Sequence, residues 1–334
     1  MALRKKKHSH SNDKKRVVEH NGLYPYMARF LEWGKVIEGV SKDTTKRRDS
    51  ALRRFIEWCD DREIHDPRVI TMPILERYQR HLYYYRKADG NPLTSGSQNV
   101  IISPLKTFFK WLTRERYINS NPASELILPK KPKRLPKNIL HVDEVNHLLK
   151  HPNLETPEGI RDRAVLEMLY STGIRRMELC NLSIYDLDIK RQAVMICAGK
   201  GNKDRVVPIG QLALDWVHKY LDEVRPLLTM PTDKDRLFLT DYGEPFTRSV
   251  LSGHVKKIMK AAKLDKPGSC HLLRHAMATH MLENGADTRI IQAILGHADL
   301  NSTQIYTQVS IEQLKQIHAA THPSQRSAED KTLH

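Results

Sequence analysis

No run of about 18 consecutive apolar residues exists in this chain, which excludes a membrane-spanning helix. The four cysteines, Cys59, Cys180, Cys197 and Cys270, never fall at C-x-x-C spacing, which argues against a zinc site. The N-terminal stretch MALRKKKHSHSNDKKR is basic, but no apolar segment follows it, so a secretory signal is not expected. Isolated thiols in such a chain fit a reducing cytoplasm, the expected location. Aromatic residues make up only 7%, so the core is expected to be mostly aliphatic. There is no P-loop signature, no paired-carboxylate metal site and no internal repeat.

What is present is length and positive charge. A chain of 334 residues suggests about two domains. Apolar content of 40% with 28% charged residues fits a soluble globular protein with a real core. Lys and Arg number 55 against 39 Asp and Glu, a surplus of 16 positive charges. A surplus of this size attracts a polyanion, and nucleic acid is the first expectation, because each basic side chain that neutralises a phosphate releases a condensed counterion.

Residues 1–20 are polar and basic without periodicity and are expected to form a disordered arm. Residues 21–125 read as a bundle of about four helices. Ala51, Leu52, Phe55, Ile56 and Cys59 recur at helical spacing, as do Leu105, Phe108, Phe109 and Leu112, and residues 88–92 form a turn. Residues 126–138 carry three prolines and five basic residues, the pattern of an extended basic linker. Residues 139–322 are mostly helical again. The exception is a hairpin: residues 193–198 are β-prone, 199–204 form a turn with Lys200 at its tip, and Arg205-Val206-Val207-Pro208-Ile209 returns. Residues 323–334 are a polar tail.

Four separated segments carry polar groups that suit one reaction. Arg175 follows Gly173, which is expected to end one helix, and starts the next near backbone N–H groups that favour anions. Lys200 sits on the hairpin. His271 and Arg274 lie three apart, so one helical face presents both. His297 follows Leu295-Gly296, and Tyr306 comes nine residues later. Singly, each has a plain structural reading: a surface ion pair, a solvated tip, a helix cap, a half-buried packing residue. Their joint occurrence, in order, in a strongly basic chain carries the weight.

With these residues in view, the second half resembles the catalytic domain of the tyrosine recombinase (phage integrase) family, most closely its Xer-type branch. The family's first box resembles Thr172-Gly173-Ile174-Arg175-Arg176-Met177-Glu178-Leu179. Its lysine hairpin resembles Gly199-Lys200-Gly201-Asn202-Lys203-Asp204-Arg205-Val206-Val207-Pro208-Ile209. Its second box resembles His271-Leu272-Leu273-Arg274-His275 followed by Ala278-Thr279-His280, and its closing stretch resembles Leu295-Gly296-His297 and Thr303-Gln304-Ile305-Tyr306. The likeness is close over residues 140–318 and looser over 22–118, where it implies a core-binding helical domain. The basic arm and the tail after Pro323 depart from a minimal member.

The resemblance implies a mainly α fold: an N-terminal SAM-like core-binding bundle and a mostly helical catalytic domain with a small antiparallel sheet. It implies site-specific DNA recombination without ATP, metal or other cofactor. Arg175 and Arg274 would clamp the phosphate, Tyr306 would attack it, and His271 would act as base. His297 would hydrogen-bond the phosphate and Lys200 would protonate the leaving 5′ oxygen. Glu178 is expected to support Arg175 or helix packing. The implied partners are a double-stranded recombination site and three further protomers, as a homo-tetramer or a hetero-tetramer with a related recombinase, and no membrane. Residues 310–317 are expected to form a capped amphipathic helix that docks on its own domain or on a neighbouring protomer. Arg47, Arg48 and His254 are candidate DNA contacts. Two other readings remain open: relaxation by a type IB topoisomerase, and a DNA-binding regulator without catalysis.

Overall fold

The computed structural model describes residues 16–130, 139–197, 204–231, 233–296 and 311–322, with side chains in the last segment from Lys315 onward. The described chain forms two compact units, one before and one after the interval 131–138.

The first unit is a four-helix bundle: α1 (Tyr24–Val36), α2 (Lys42–Asp60), α3 (Met72–Tyr84) and α4 (Ser95–Arg114). Local chemistry sets the starts. Ser41 caps α2 by accepting from the Thr44 N–H, Thr94 caps α4 by accepting from Ser97, and a proline opens α3. The apolar positions expected from helical spacing are all buried. Most residues of the core they form are aliphatic, as expected, but it also holds seven large aromatic side chains. Phe30, Phe55, Trp58, Tyr78, Phe108, Phe109 and Trp111 fill its centre, with edge-to-face pairs such as Phe55–Tyr78 at 5.0 Å and Phe30–Phe108 at 5.4 Å. The low aromatic content averages over two units, and the first holds most of the large rings.

Both borders of this unit reach further than expected. Residues 16–20, read as the end of a disordered arm, are anchored: Val18 is buried in the core, Arg16 pairs with Glu57 and Arg53 with Glu19. At the other end, where linker was expected from residue 126, Leu126 is buried and the Pro129 carbonyl accepts from Asn99. Arg48, a candidate DNA contact, is 9% exposed and held by Glu38 at 2.7 Å.

The second unit contains α5 (Val142–Lys150), α6 (Pro157–Thr172), α7 (Arg176–Asn181), β1 (Leu187–Asp188), β2 (Ala193–Ile196), β3 (Arg205–Pro208), α8 (Gln211–Lys219), α9 (Arg225–Leu228), α10 (Arg248–Ala261), α11 (Cys270–Glu283), α12 (Thr288–Leu295) and α13 (Ile311–Thr321). Helix α6 is the hub, with every residue from Gly159 to Thr172 buried except Asp162. A helix enclosed on all sides needs no amphipathic stripe. Its start is fixed by Thr156, whose hydroxyl accepts from Gly159, and its end by Gly173 at φ 59°. A side chain at Gly173 would also collide with Met277 of α11. A π-helical turn at Tyr220–Val224 joins α8 to α9, whose Pro226 lacks the N–H that a regular helix would use.

The expected hairpin is β2–β3, antiparallel with Val194 opposite Val207. A third strand, β1, extends the sheet in the order β1-β2-β3. Two residues are too few to show an alternating pattern. This core is aliphatic, as expected: its members are mainly Leu, Ile, Val, Ala and Met. No described helix is long and apolar enough to cross a membrane.

Candidate active site

Three of the six expected site residues lie among the described residues: Arg175, His271 and Arg274. Lys200, His297 and Tyr306 lie outside them. Arg175 is the N-cap of α7, in extended backbone at φ −72° and ψ 149°. His271 and Arg274 lie in the first turns of α11, as the spacing required.

The meeting point is the C-terminal end of α12. The last carbonyls of a helix have no partner within it and carry the negative end of its dipole, so they attract cations. Here guanidiniums take three successive ones. Arg205 Nε donates to the Ile294 carbonyl at 3.1 Å, Arg274 Nη2 to Leu295 at 2.8 Å, and Arg175 Nη2 to Gly296 at 2.5 Å. Arg274 Nη1 also donates to the Gly173 carbonyl at the end of α6, at 2.5 Å. Arg175 and Arg274, 99 positions apart, thus bond to adjacent carbonyls. Each guanidinium has five N–H groups, so donors remain for a ligand.

Glu178 braces this cluster, as expected for Arg175. Its carboxylate accepts from the Arg175 backbone N–H at 2.7 Å and from Arg175 Nη1 at 2.8 Å. It also receives both Nη atoms of Arg205, at 2.9 and 2.8 Å. Burial opposes its charge, but the hydrogen bonds from Arg205 and from the Arg175 N–H outweigh this and hold its pKa down to about 2. Burial, then the Arg175 cation, pushes Arg274 down to about 10, which leaves it charged at neutral pH. Among these four groups the balance is three positive charges to one negative, which suits an anion.

The side chain of His271 is exposed. Desolvation, followed by the nearby Arg176, His275 and Arg274, lowers its pKa below the ordinary histidine value, so the ring is neutral at pH 7. Arg205 was not singled out as a site residue from sequence. The available signal was its place at the start of the returning strand, but its partners are one carbonyl and one carboxylate far away in the chain. His254, a candidate DNA contact, bonds instead to Asp162 at 2.7 Å.

Beyond α12, α13 packs on its own unit. His318 Nε2 donates to the Ser171 carbonyl at 2.7 Å and His322 Nε2 to that of Tyr170 at 3.0 Å, both in the last turn of α6. The two imidazoles stack at 4.6 Å, and Ile317 packs against the core. Of the two docking places expected for this helix, the single chain shows the one on its own domain.

The second unit is thus mostly helical with a small sheet, and two arginines converge on one helix end; comparison with known proteins places this fold in a family. The phage integrase family model matches residues 138–313. The chain is 54% identical over 320 residues to "Tyrosine recombinase XerC 2" of Ralstonia nicotianae, covering 95% of this chain and 92% of that one. It is 37% identical to "Tyrosine recombinase XerD" of Halalkalibacterium halodurans, over 89% of this chain and 97% of the other. The fold matches that of the XerH site-specific recombinase bound to a palindromic difH substrate, with a TM-score of 0.67 at 20% identity, over 92% and 97% of the two chains. The chain belongs to the phage integrase family and is a Xer-type tyrosine site-specific recombinase.

Proposed function

We propose that this recombinase cuts and rejoins duplex DNA through a covalent 3′-phosphotyrosyl link on Tyr306. The phenol oxygen of Tyr306 bonds to phosphorus while the bond from phosphorus to the 5′ oxygen breaks. His271 takes the phenol proton, and Lys200 gives a proton to the departing 5′ oxygen. Arg175 and Arg274 bind the non-bridging oxygens and stabilise the charge that builds in the transition state, and His297 adds a further hydrogen bond. Arginine suits this task because it stays charged and offers a planar fork of donors. The link conserves the energy of the broken ester, so the reverse step needs neither ATP nor metal.

The observation that carries this reading is the convergence of Arg175 and Arg274 on adjacent carbonyls, Gly296 and Leu295. The chain continues from that point to His297 and, nine residues later, to Tyr306. The neutral imidazole of His271 fits a base.

The substrate in this reading is a specific DNA duplex, met in the cytoplasm, and strand exchange uses four protomers on two sites. These form a homo-tetramer, or a hetero-tetramer with a related recombinase. A duplex nicked so that the released strand diffuses away tests the chemistry. Wild type is expected to accumulate a covalent protein–DNA adduct, and Tyr306→Phe none. Absence of any adduct with wild type on its own site refutes the proposal and favours a silent DNA-binding regulator. Relaxation of a supercoiled plasmid that lacks the site would favour a topoisomerase.

A further inference from the structure

Arg205 makes more bonds between separate segments than any role in the hairpin itself requires. It is the first residue of β3, the strand that begins five residues after Lys200 in the sequence. Its Nη atoms grip both oxygens of Glu178, which in turn holds Arg175 by backbone and side chain. Its Nε reaches the Ile294 carbonyl at the end of α12. Its side chain is 13% exposed. The glycine that follows α12 leaves room for it: a Cβ at Gly296 would lie 2.9–3.0 Å from Nε, Cδ and Cζ of Arg205. Gly296 is left-handed at φ 61°, so this position suits glycine on two counts.

We propose that Arg205 is a positioning residue that fastens the lysine hairpin, the Arg175 turn and the end of α12 into one unit. Resting on the reaction proposed above, this fixes where Lys200 leaves from, where Arg175 points and where the chain toward His297 and Tyr306 begins. Arg205 does so through Glu178 and Ile294, without touching the reacting phosphate. The fork is essential to the role. A lysine can neutralise Glu178, but its single ammonium cannot span the carboxylate and the carbonyl in the same planar geometry.

The test compares wild type, Arg205→Ala and Arg205→Lys in three measurements on the full chain: affinity for the recombination site, single-turnover cleavage of the nicked duplex, and amide hydrogen exchange without DNA. Cleavage by Arg205→Ala is expected to fall about 10- to 100-fold, the range for losing hydrogen bonds to a charged partner, while affinity changes less than about 3-fold. Arg205→Lys is expected to recover the melting temperature but less than about a third of the lost cleavage on a logarithmic scale. Peptides covering residues 174–180 and 291–297 are expected to exchange faster in Arg205→Ala, with those of α6 unchanged.

Cleavage at the wild-type rate in Arg205→Ala, or full recovery by Arg205→Lys, overturns the proposal. An affinity loss as large as the cleavage loss overturns it too, by making Arg205 a DNA contact. The exchange measurement judges it independently of chemistry. If wild type forms no adduct, the recombination reading fails, while unchanged exchange in both peptides is what sinks the role of Arg205.

Discussion

Arg274 spends its buried guanidinium on two helix ends at once, through the carbonyls of Gly173 and Leu295. Lysine in its place keeps one charge but loses the fork that joins α6 to α12. Arg274→Lys is therefore expected to cut single-turnover cleavage by about 10²- to 10³-fold, the cost of one misplaced donor to a developing oxyanion. Affinity for the site is expected to change far less, because many other basic residues contribute to binding phosphate. Rapid-quench cleavage and filter binding on the same preparation separate the two. At His271 the lowered pKa has a defined consequence. A base must be unprotonated, so the acid limb of kcat/KM is expected below 6.5, the ordinary value for this side chain. A limb above 6.5 would assign the titration to another group. The placement of His271 and Arg274 on one face of α11 was legible in the sequence because helical spacing dictates it. The role of Arg205 was not, since it depends on where the end of α12 comes to rest.

At the scale of elements, the ends of helices carry the design. The C-terminal turn of α6 offers the carbonyls of Tyr170, Ser171 and Gly173, and each finds a donor from elsewhere: His322, His318 and Arg274. Gly173 lets the chain turn there. Gly173→Ala introduces a strained left-handed alanine whose methyl meets Met277, so about 1–3 kcal/mol of stability is expected to be lost, read from urea unfolding. The docking of α13 carries a sign in pH. Burial lowers the pKa of His318; burial and then His318 lower that of His322 further. Among the described residues, the titratable groups beside His322 include Tyr170, with ring centroids 4.7 Å away, and His280. When α13 is docked both histidines bind fewer protons than when it is released. Docking is therefore at full strength above about 6.5 and weakens as pH falls below that value. Amide exchange of residues 315–321 is expected to speed up between pH 7 and pH 5.5 relative to α6, after correction for intrinsic rates. Equal protection at both values would contradict this. An amphipathic helix was legible here, but not its docking place: a histidine looks the same in sequence whether it is solvated or fills a buried capping position.

At the scale of the whole molecule, the division into a helical bundle and a mostly helical unit with a small sheet was legible from periodicity and from the proline-rich break. The borders were less so. Val18 and Leu126 belong to the first core, yet they stand in segments whose composition is that of an arm and a linker. Nor did overall composition reveal that the large rings gather in one unit. Net charge carries further. With 16 excess positive charges, the chain is expected to bind DNA with a steep salt dependence. If about six or more phosphates are neutralised, affinity falls by roughly 10³-fold or more between 50 and 200 mM salt. A nearly flat dependence would mean that the basic surplus lies away from the DNA. Not every arginine can contribute: Arg48, Arg53 and Arg161 are buried in ion pairs within the protein.

The proposed reaction joins one phenol to one DNA phosphate, so the most direct measurement identifies the residue that carries the DNA. Adduct trapped on the nicked duplex is digested with protease and nuclease, and the peptide that retains a nucleotide is sequenced by mass spectrometry. The expected result is a single modified residue, Tyr306, joined to a 3′ phosphate, with a free 5′ hydroxyl on the released strand. DNA attached to any other residue, or through a 5′ phosphate, would contradict it.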